Sequence, residues 1–106
     1  GDNLETAAEI TPAQAVMGSE IEIETIEKKK VLLTIPAGIQ HDTALKIPGE
    51  GVRRRGRPGD LLVRIKVRIP RQITPEVKDL YEKILEIEGS KAGQKKGFFS
   101  GFMGKV

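Results

Sequence analysis

The single histidine of the chain is the first residue to consider for chemistry. His41 stands beside Asp42, and a neighbouring carboxylate can orient an imidazole as a general base. A nucleophile is missing, because the chain has no cysteine and its serines (Ser19, Ser90 and Ser100) lie in turn-like or tail segments without a nucleophile motif. A metal site would need further ligands at suitable spacing, which the sequence does not show. We therefore interpret His41 as a turn residue and predict no catalytic residue, no metal site, no cofactor and no enzymatic activity.

A segment rich in glycine and arginine, residues 49–59, is the second candidate. Its glycines superficially resemble a phosphate-binding loop, but such a loop follows a strand and opens a helix, whereas here a strand follows and no Lys-Ser/Thr pair ends the segment. Its arginines could bind phosphates, although no aromatic residue lies among them to stack on bases. Two interpretations stay open. The favoured one is a mobile, solvated loop, and the alternative is a nucleic-acid-binding β-domain that uses Arg53, Arg54, Arg55 and Arg57.

Length and composition limit the remaining classes of protein. At 106 residues the chain is long enough for one domain with a single thin core. Without cysteine it has no disulfide scaffold, and an oxidising compartment gains no support, so we expect a cytoplasmic protein. The longest apolar run has three residues, which argues against a membrane span. The formal net charge of +3 is too small by itself to indicate nucleic-acid binding.

Four segments alternate apolar and polar residues with the period of a half-buried strand. They span residues 20–26, 30–35, 43–47 and 60–69, and the short link between the first two predicts a hairpin. The longest segment has a predicted inward row that consists of Leu61, Val63, Ile65, Val67 and Ile69.

Capping signals predict two helices. A short helix lies between Glu9 and Gly18, with Thr11 as its N-cap and a proline in its first turn. A longer helix covers residues 73–89, with Thr74 as its N-cap and a glycine at its end. Its apolar residues recur at the spacing of one stripe, which predicts a helix packed on the core. The stripe consists of Val77, Leu80, Tyr81, Ile84 and Leu85.

Several stretches together resemble one known family. "TPAQAVMGSEIEIETI", "VLLTIPAGIQHDTALKIPGEGV" and "RGRPGDLLVRIKVRIP", followed by a terminal helix, resemble the second C-terminal β-domain of DnaJ-type heat-shock co-chaperones. The resemblance runs from residue 1 to about residue 88, and its most specific parts are "IPAGIQ", "PGEGV" and "GDLLVRIKV". Two departures concern packing and turns. "TIEKKKV" lacks the glycine that the family often has at that turn, and "GDNLETAAEI" lacks the aromatic residue that often follows the leucine of the first strand.

The resemblance implies a mainly β fold with helices, namely a small two-layer antiparallel β-sandwich with one short helix and a C-terminal packing helix. It also implies a role in protein folding: binding unfolded or partly folded client proteins in support of a DnaK-type chaperone. Family members contact that chaperone through a J-domain with a His-Pro-Asp motif, and many carry a Cys-rich zinc module; this sequence contains neither. We therefore expect a fragment of a longer co-chaperone.

The sequence divides near residue 90. Residues 1–89 form the predicted client-binding domain with its terminal helix, and residues 90–106 form a flexible link and an apolar tail. Apolar residues of the tail fall on one helical face, and the resemblance implies homodimerisation through this end of the chain. The predicted dimer contacts are Phe98, Phe99, Phe102, Met103 and Val106. The alternative is a monomer whose tail folds back or is disordered.

Client binding requires apolar groups on the surface. Leu32 and Leu62 are the candidates, because each points away from the main apolar face of its strand. Two hypotheses therefore remain: a chaperone module for client binding and dimerisation, and a nucleic-acid-binding domain that uses the basic loop.

Overall fold

The alternating segments of the sequence form strands, and both capped segments form helices. The computed structural model describes residues 2–91. In chain order the elements are β1 (Leu4–Ile10), α1 (Pro12–Met17), β2 (Ser19–Glu24), β3 (Lys30–Ile35), β4 (Ala44–Ile47), β5 (Arg53–Arg54), β6 (Arg57–Pro58), β7 (Leu61–Val67) and α2 (Pro75–Lys91). The chain divides into two units, Gly1–Pro70 with the strands and α1, and Arg71–Val106 with α2. The predicted class, mainly β with a short helix and a C-terminal helix, is confirmed.

Strand β7 is the centre of the main sheet. That sheet has three strands in the order β1-β7-β4, while β2 pairs with β3 and β5 pairs with β6. β4 runs antiparallel to β7, whereas β1 runs parallel to it, with Leu4 opposite Leu61 and Ile10 opposite Val67. The expected sandwich was antiparallel throughout, and β1 is the difference. Fifty residues lie between β1 and β7, which leaves room for the long crossover that a parallel pair needs.

The core lies between the three-stranded sheet and the β2–β3 hairpin. Val63 and Ile65 of β7 are completely buried, and Ile35 of β3 is 1% exposed. The buried cluster consists of Ile10, Ala15, Ile23, Leu33, Ile35, Ile39, Leu61, Val63 and Ile65. The inward row predicted for β7 is therefore correct at its first four positions, since Val67 also packs against this cluster. Val67 is only half-buried, and Ile69 is 71% exposed because β7 ends at Val67, before a proline that cannot continue the ladder.

Helix α1 begins and ends where the sequence predicts. Thr11 and Gln14 form a capping box: the Thr11 hydroxyl oxygen accepts from the Gln14 backbone N–H at 3.1 Å, and Gln14 Oε1 accepts from the Thr11 N–H at 2.9 Å. These bonds satisfy N–H groups that a helix start leaves free. Gly18 ends the helix with φ 82°, and a Cβ there would lie 2.9 Å from the Ile35 carbonyl oxygen. The short helix therefore needs glycine to turn into β2.

Three backbone segments meet where β1 begins, and we call this contact the glycine crossing. Asp2 and Val52 exchange hydrogen bonds of 3.2 and 2.8 Å, the Gly59 N–H donates to the Val52 carbonyl at 3.0 Å, and the Leu4 N–H donates to Asp60 at 2.9 Å. A Cβ on Gly51 would lie 2.5 Å from the Asp2 carbonyl oxygen, and a Cβ on Gly59 would overlap that oxygen even more closely. These glycines, in the motifs "PGEGV" and "GDLL", leave the space in which the chains cross.

The basic segment is a hairpin and not an irregular loop. Arg53 pairs with Pro58 and Arg54 with Arg57, and the two residues between the strands, Arg55 and Gly56, have φ of 56° and 77°. Positive φ at both positions is the type I′ turn that fits strand twist. Its side chains are exposed, as predicted. The prediction of a solvated loop did not identify this hairpin, because a type I′ turn normally has asparagine before its glycine and here arginine stands there.

The turn between β2 and β3 lacks a glycine, and it also places a residue with a long side chain at a positive φ. Lys28 has φ 62°, a left-handed conformation that usually favours glycine or asparagine. Its N–H donates to the Thr25 carbonyl at 2.8 Å, and the Thr25 N–H donates to the Lys29 carbonyl at 2.8 Å. A lysine therefore occupies the strained position of a short hairpin loop.

Helix α2 forms as predicted, and its apolar stripe is exposed within the second unit. Thr74 caps it, because its hydroxyl oxygen accepts from the Val77 N–H at 3.2 Å, and the helix continues past Gly89 to Lys91. Leu80 is 54% exposed and Leu85 is 59% exposed. Taken by itself, the second unit leaves these side chains of the stripe accessible. Helical periodicity identifies a one-sided apolar face but carries no information about what covers it.

Ion pairs cover the outer face of the three-stranded sheet. Arg64 Nε lies 3.2 Å from Glu5, Arg64 also donates to the Asp42 carbonyl at 2.9 Å, and Lys66 pairs with the Asp42 carboxylate. The hydrogen bond from Lys66 holds the pKa of Asp42 below its ordinary value, and the hydrogen bond from Arg64 lowers the pKa of Glu5. The negative charges on this face are thus stabilised by the cations of β7.

Substituting Asp42→Asn tests this arrangement. Asp42 has φ 72°, which asparagine also tolerates, so the substitution removes only the charge. Because the pKa of Asp42 is lowered in the folded state, its contribution to stability is present above its ordinary value of 3.8 and is lost as pH falls through the lower, folded-state value. Urea unfolding should find the variant less stable near neutral pH, with the difference decreasing as pH falls below the ordinary value of 3.8. A difference independent of pH would contradict this assignment.

Candidate functional site

His41 has a structural role in the fold. Its Nδ1 accepts a hydrogen bond from the Val67 backbone N–H at 3.0 Å, so the imidazole satisfies a donor at the end of β7. Its Nε2 lies 3.9 Å from the Asp42 carboxylate, which is itself paired with Lys66. Within residues 2–91 no group of three or more His, Cys, Asp or Glu residues is placed to hold a metal ion. These contacts support the interpretation of His41 as a turn residue.

Leu32 lies on the outer face of the β2–β3 hairpin and is 68% exposed. Its partner across the hairpin is Glu22, which also lies 3.8 Å from the Lys30 ammonium. Strand alternation explains this position, since Leu33 on the other face is buried. The structure thus presents one aliphatic side chain among charged neighbours, which is a small contact point and not a wide apolar patch.

Leu62 lies on the outer face of the other layer. It stands on β7 between Glu5 of β1 and Lys46 of β4, and it is half-buried. Leu32 and Leu62 therefore face outward from different layers of the sandwich, and the fold does not bring them into one site. Each would have to act as a separate contact.

Other apolar side chains in the first unit are exposed and were not anticipated as candidates. Val16 and Met17 at the end of α1 are 67% and 76% exposed, and Ile26 in the β2–β3 turn is 63% exposed. Ile26 could have been recognised from the sequence, because it breaks the alternation of "EIEIETI" and has the same parity as the outward Glu22 and Glu24.

The basic hairpin joins the β2–β3 turn through ion pairs. Arg53 Nε lies 3.5 Å from Glu27, and Lys29 Nζ lies 2.6 Å from Glu50, just before the hairpin. Arg54 pairs with Asp2 at 2.7 Å. These pairs place two clusters of basic residues, which are separate in sequence, side by side on the surface.

The predicted dimer contacts, Phe98, Phe99, Phe102, Met103 and Val106, lie outside the described residues. The described helices include none that is long and apolar enough to span a membrane.

Comparisons with known proteins agree with these features. The chaperone protein DnaJ of Synechococcus sp. is 40% identical over 109 residues, which cover 98% of this chain and 29% of the relative. The DnaJ protein of Nostoc punctiforme is 37% identical, with 100% of this chain and 28% of the relative covered. The DnaJ protein of Treponema denticola is 42% identical over 90 residues, which cover 84% of this chain and 24% of the relative. The chain thus spans less than a third of the length of these relatives.

A family model matches the first unit. The model of the DnaJ C terminal domain covers residues 1–70, which include the glycine crossing, both hairpins and the complete three-stranded sheet. The chain therefore belongs to the DnaJ C terminal domain family.

Proposed function

We propose that this chain binds unfolded or partly folded client proteins and forms a homodimer, as the C-terminal part of a cytoplasmic DnaJ-type co-chaperone. The observation that carries this proposal is the match of the DnaJ C terminal domain to residues 1–70. Support for a DnaK-type chaperone belongs to the same proposal and is assigned to a J-domain outside this chain, since the sequence contains no His-Pro-Asp motif.

Leu32 and Leu62 are the proposed client contacts. Leu32 is accessible on a strand surface, so a client side chain can cover it without any rearrangement of the hairpin. Its charged neighbours keep it from forming a large sticky patch. Leu62, half-buried between Glu5 and Lys46, offers a second and smaller contact on the other layer. Two separate weak contacts suit the binding of extended, variable chains better than one deep pocket.

Substituting Leu32→Thr tests the client contact. Threonine suits an exposed strand position, so the free energy of unfolding should change by less than about 0.5 kcal/mol. Burying a leucine on binding contributes about 1.5–3 kcal/mol, so affinity for a labelled, permanently unfolded protein should fall about tenfold in fluorescence anisotropy. Ile69→Thr, at a position 71% exposed but outside the strands, is the matched control. Equal affinities for the two variants would rule out Leu32 as a contact.

The second unit supports the proposal of a homodimer. Along α2 the apolar stripe is exposed within the second unit, with Val77 36%, Leu80 54%, Ile84 45% and Leu85 59% exposed. An amphipathic helix in water is stabilised mainly by burial of its apolar face. A second copy of the same helix, together with the apolar tail, would provide that burial.

Sedimentation measurements test the dimer. The intact chain is expected to sediment as a dimer at tens of micromolar. A chain that ends at Gly97 should dissociate into monomers at a higher protein concentration than the intact chain, because it lacks the apolar tail. Leu80→Glu should produce monomers by placing a charge in the stripe, whereas Lys78→Gln, on the polar side of α2, should not. An intact chain that remains monomeric, or a Leu80→Glu variant that remains dimeric, would contradict the proposal.

A further inference from the structure

The tips of the β2–β3 and β5–β6 hairpins form one cationic surface. It consists of Lys28, Lys29, Arg53, Arg54, Arg55 and Arg57. Three carboxylates are bonded into it: Glu27 to Arg53 at 3.5 Å, Glu50 to Lys29 at 2.6 Å, and Asp2 to Arg54 at 2.7 Å. Six basic groups against three acidic ones leave a charge of +3, which equals the formal net charge of the whole chain. We call this set the cationic tip surface.

Half of these cations have no carboxylate partner. Among the described residues Lys28, Arg55 and Arg57 make no ion pair within 4.0 Å, and all three are exposed. The Glu27–Arg53 pair joins the two tips, the other two pairs join the tips to neighbouring segments, and the three remaining cations are exposed to solvent. Such a division provides a fixed scaffold with unpaired positive charge on it.

Two of the three unpaired cations occupy strained backbone positions. Lys28 and Arg55 are left-handed, with φ of 62° and 56°, at turn positions where glycine or asparagine would be more stable. Strain of this kind is concentrated at functional sites. The presence of a long basic side chain at a strained position of both tips is therefore an observation independent of the charge count.

We propose that the cationic tip surface docks an acidic peptide segment of a partner protein. A polypeptide fits better than a nucleic acid for two reasons. Glu27, Asp2 and Glu50 interrupt the basic groups, which favours a ligand whose acidic groups are spaced apart along a peptide over the uninterrupted charges of a phosphate backbone, and the surface contains no aromatic side chain for base stacking. Ile26, which is 63% exposed in the same turn as Lys28, offers an apolar contact to a peptide side chain. This docking is separate from client contact at Leu32.

Fluorescence anisotropy with the 106-residue chain tests the proposal. The ligand is a dye-labelled, glutamate-rich peptide with a central leucine, and the comparators are a lysine-rich peptide of the same layout and a single-stranded uridine oligonucleotide of equal charge. The double variant Lys28→Asn/Arg55→Asn removes one unpaired cation from each turn and replaces it with a residue that favours the left-handed conformation. It should therefore fold at least as well as the parent chain.

We expect saturable binding of the acidic peptide that weakens about tenfold in the double variant and decreases with added salt. The matched control, Lys78→Gln/Lys83→Gln, removes two charges from α2 and should leave binding unchanged. The proposal is overturned if the parent chain does not bind the peptide, if both double variants lose affinity equally, or if neither does. Tighter binding of the oligonucleotide than of the peptide would assign the surface to nucleic acid instead.

Discussion

The fold depends on one close backbone contact, the glycine crossing of Asp2 with Gly51 and Gly59. Hydrogen bonds of Asp2 to Val52 and of Leu4 to Asp60 bring the start of the chain onto the sheet and fix the parallel register of β1 against β7. The Asp60 backbone N–H donates to the Asn3 side chain at 2.8 Å, and the Asp60 carboxylate accepts from the Gly49 N–H at 3.0 Å. No residue with a Cβ fits at the centre of this contact without moving backbone.

The crossing also determines where the functional surfaces lie. The β5–β6 hairpin extends from the paired residues Val52 and Gly59, and the Asp2 carboxylate continues from the crossing to Arg54. Strand β7 leaves the same point with its apolar row toward the core and its cations outward. The glycine crossing therefore positions both the β7 strand, with its buried and its ionic face, and the β5–β6 hairpin that carries the arginines.

The sequence predicts what depends on local pattern. Alternation identified β2, β3, β4 and the inner row of β7, and the capping residues Thr11 and Thr74 located both helices. Three features depend on distant parts of the chain and were not accessible in this way. Strand β1, "LETAAEI", alternates poorly and is a strand because of its parallel partner β7. The β5–β6 hairpin has charged residues in place of the usual turn residues. The stripe of α2 is apolar, but its period does not specify a partner.

The candidate sites also combine features that local pattern predicts with features that depend on the tertiary fold. Leu32 and Leu62 were assigned to outward faces by strand alternation, and they are exposed and half-buried respectively. Their separation onto two layers follows from the packing of the sheets and is invisible in a strand pattern. Likewise, "EKKK" and "RRRGR" are two separate basic runs in sequence, and their proximity, seen in the ion pairs Glu27–Arg53 and Lys29–Glu50, follows from the tertiary fold.

The most direct test of the glycine crossing compares Gly59→Ala with Gly38→Ala in denaturant unfolding. Gly38 has φ 82° and nothing within 4 Å of an added Cβ, so alanine there should cost only the strain of a left-handed residue, about 1–2 kcal/mol. At Gly59 the Cβ would overlap the Asp2 carbonyl, and the backbone displacement should cost about 3 kcal/mol or more. We expect Gly59→Ala to be clearly the less stable variant. A Gly59→Ala variant as stable as Gly38→Ala would show that the crossing does not hold the fold together.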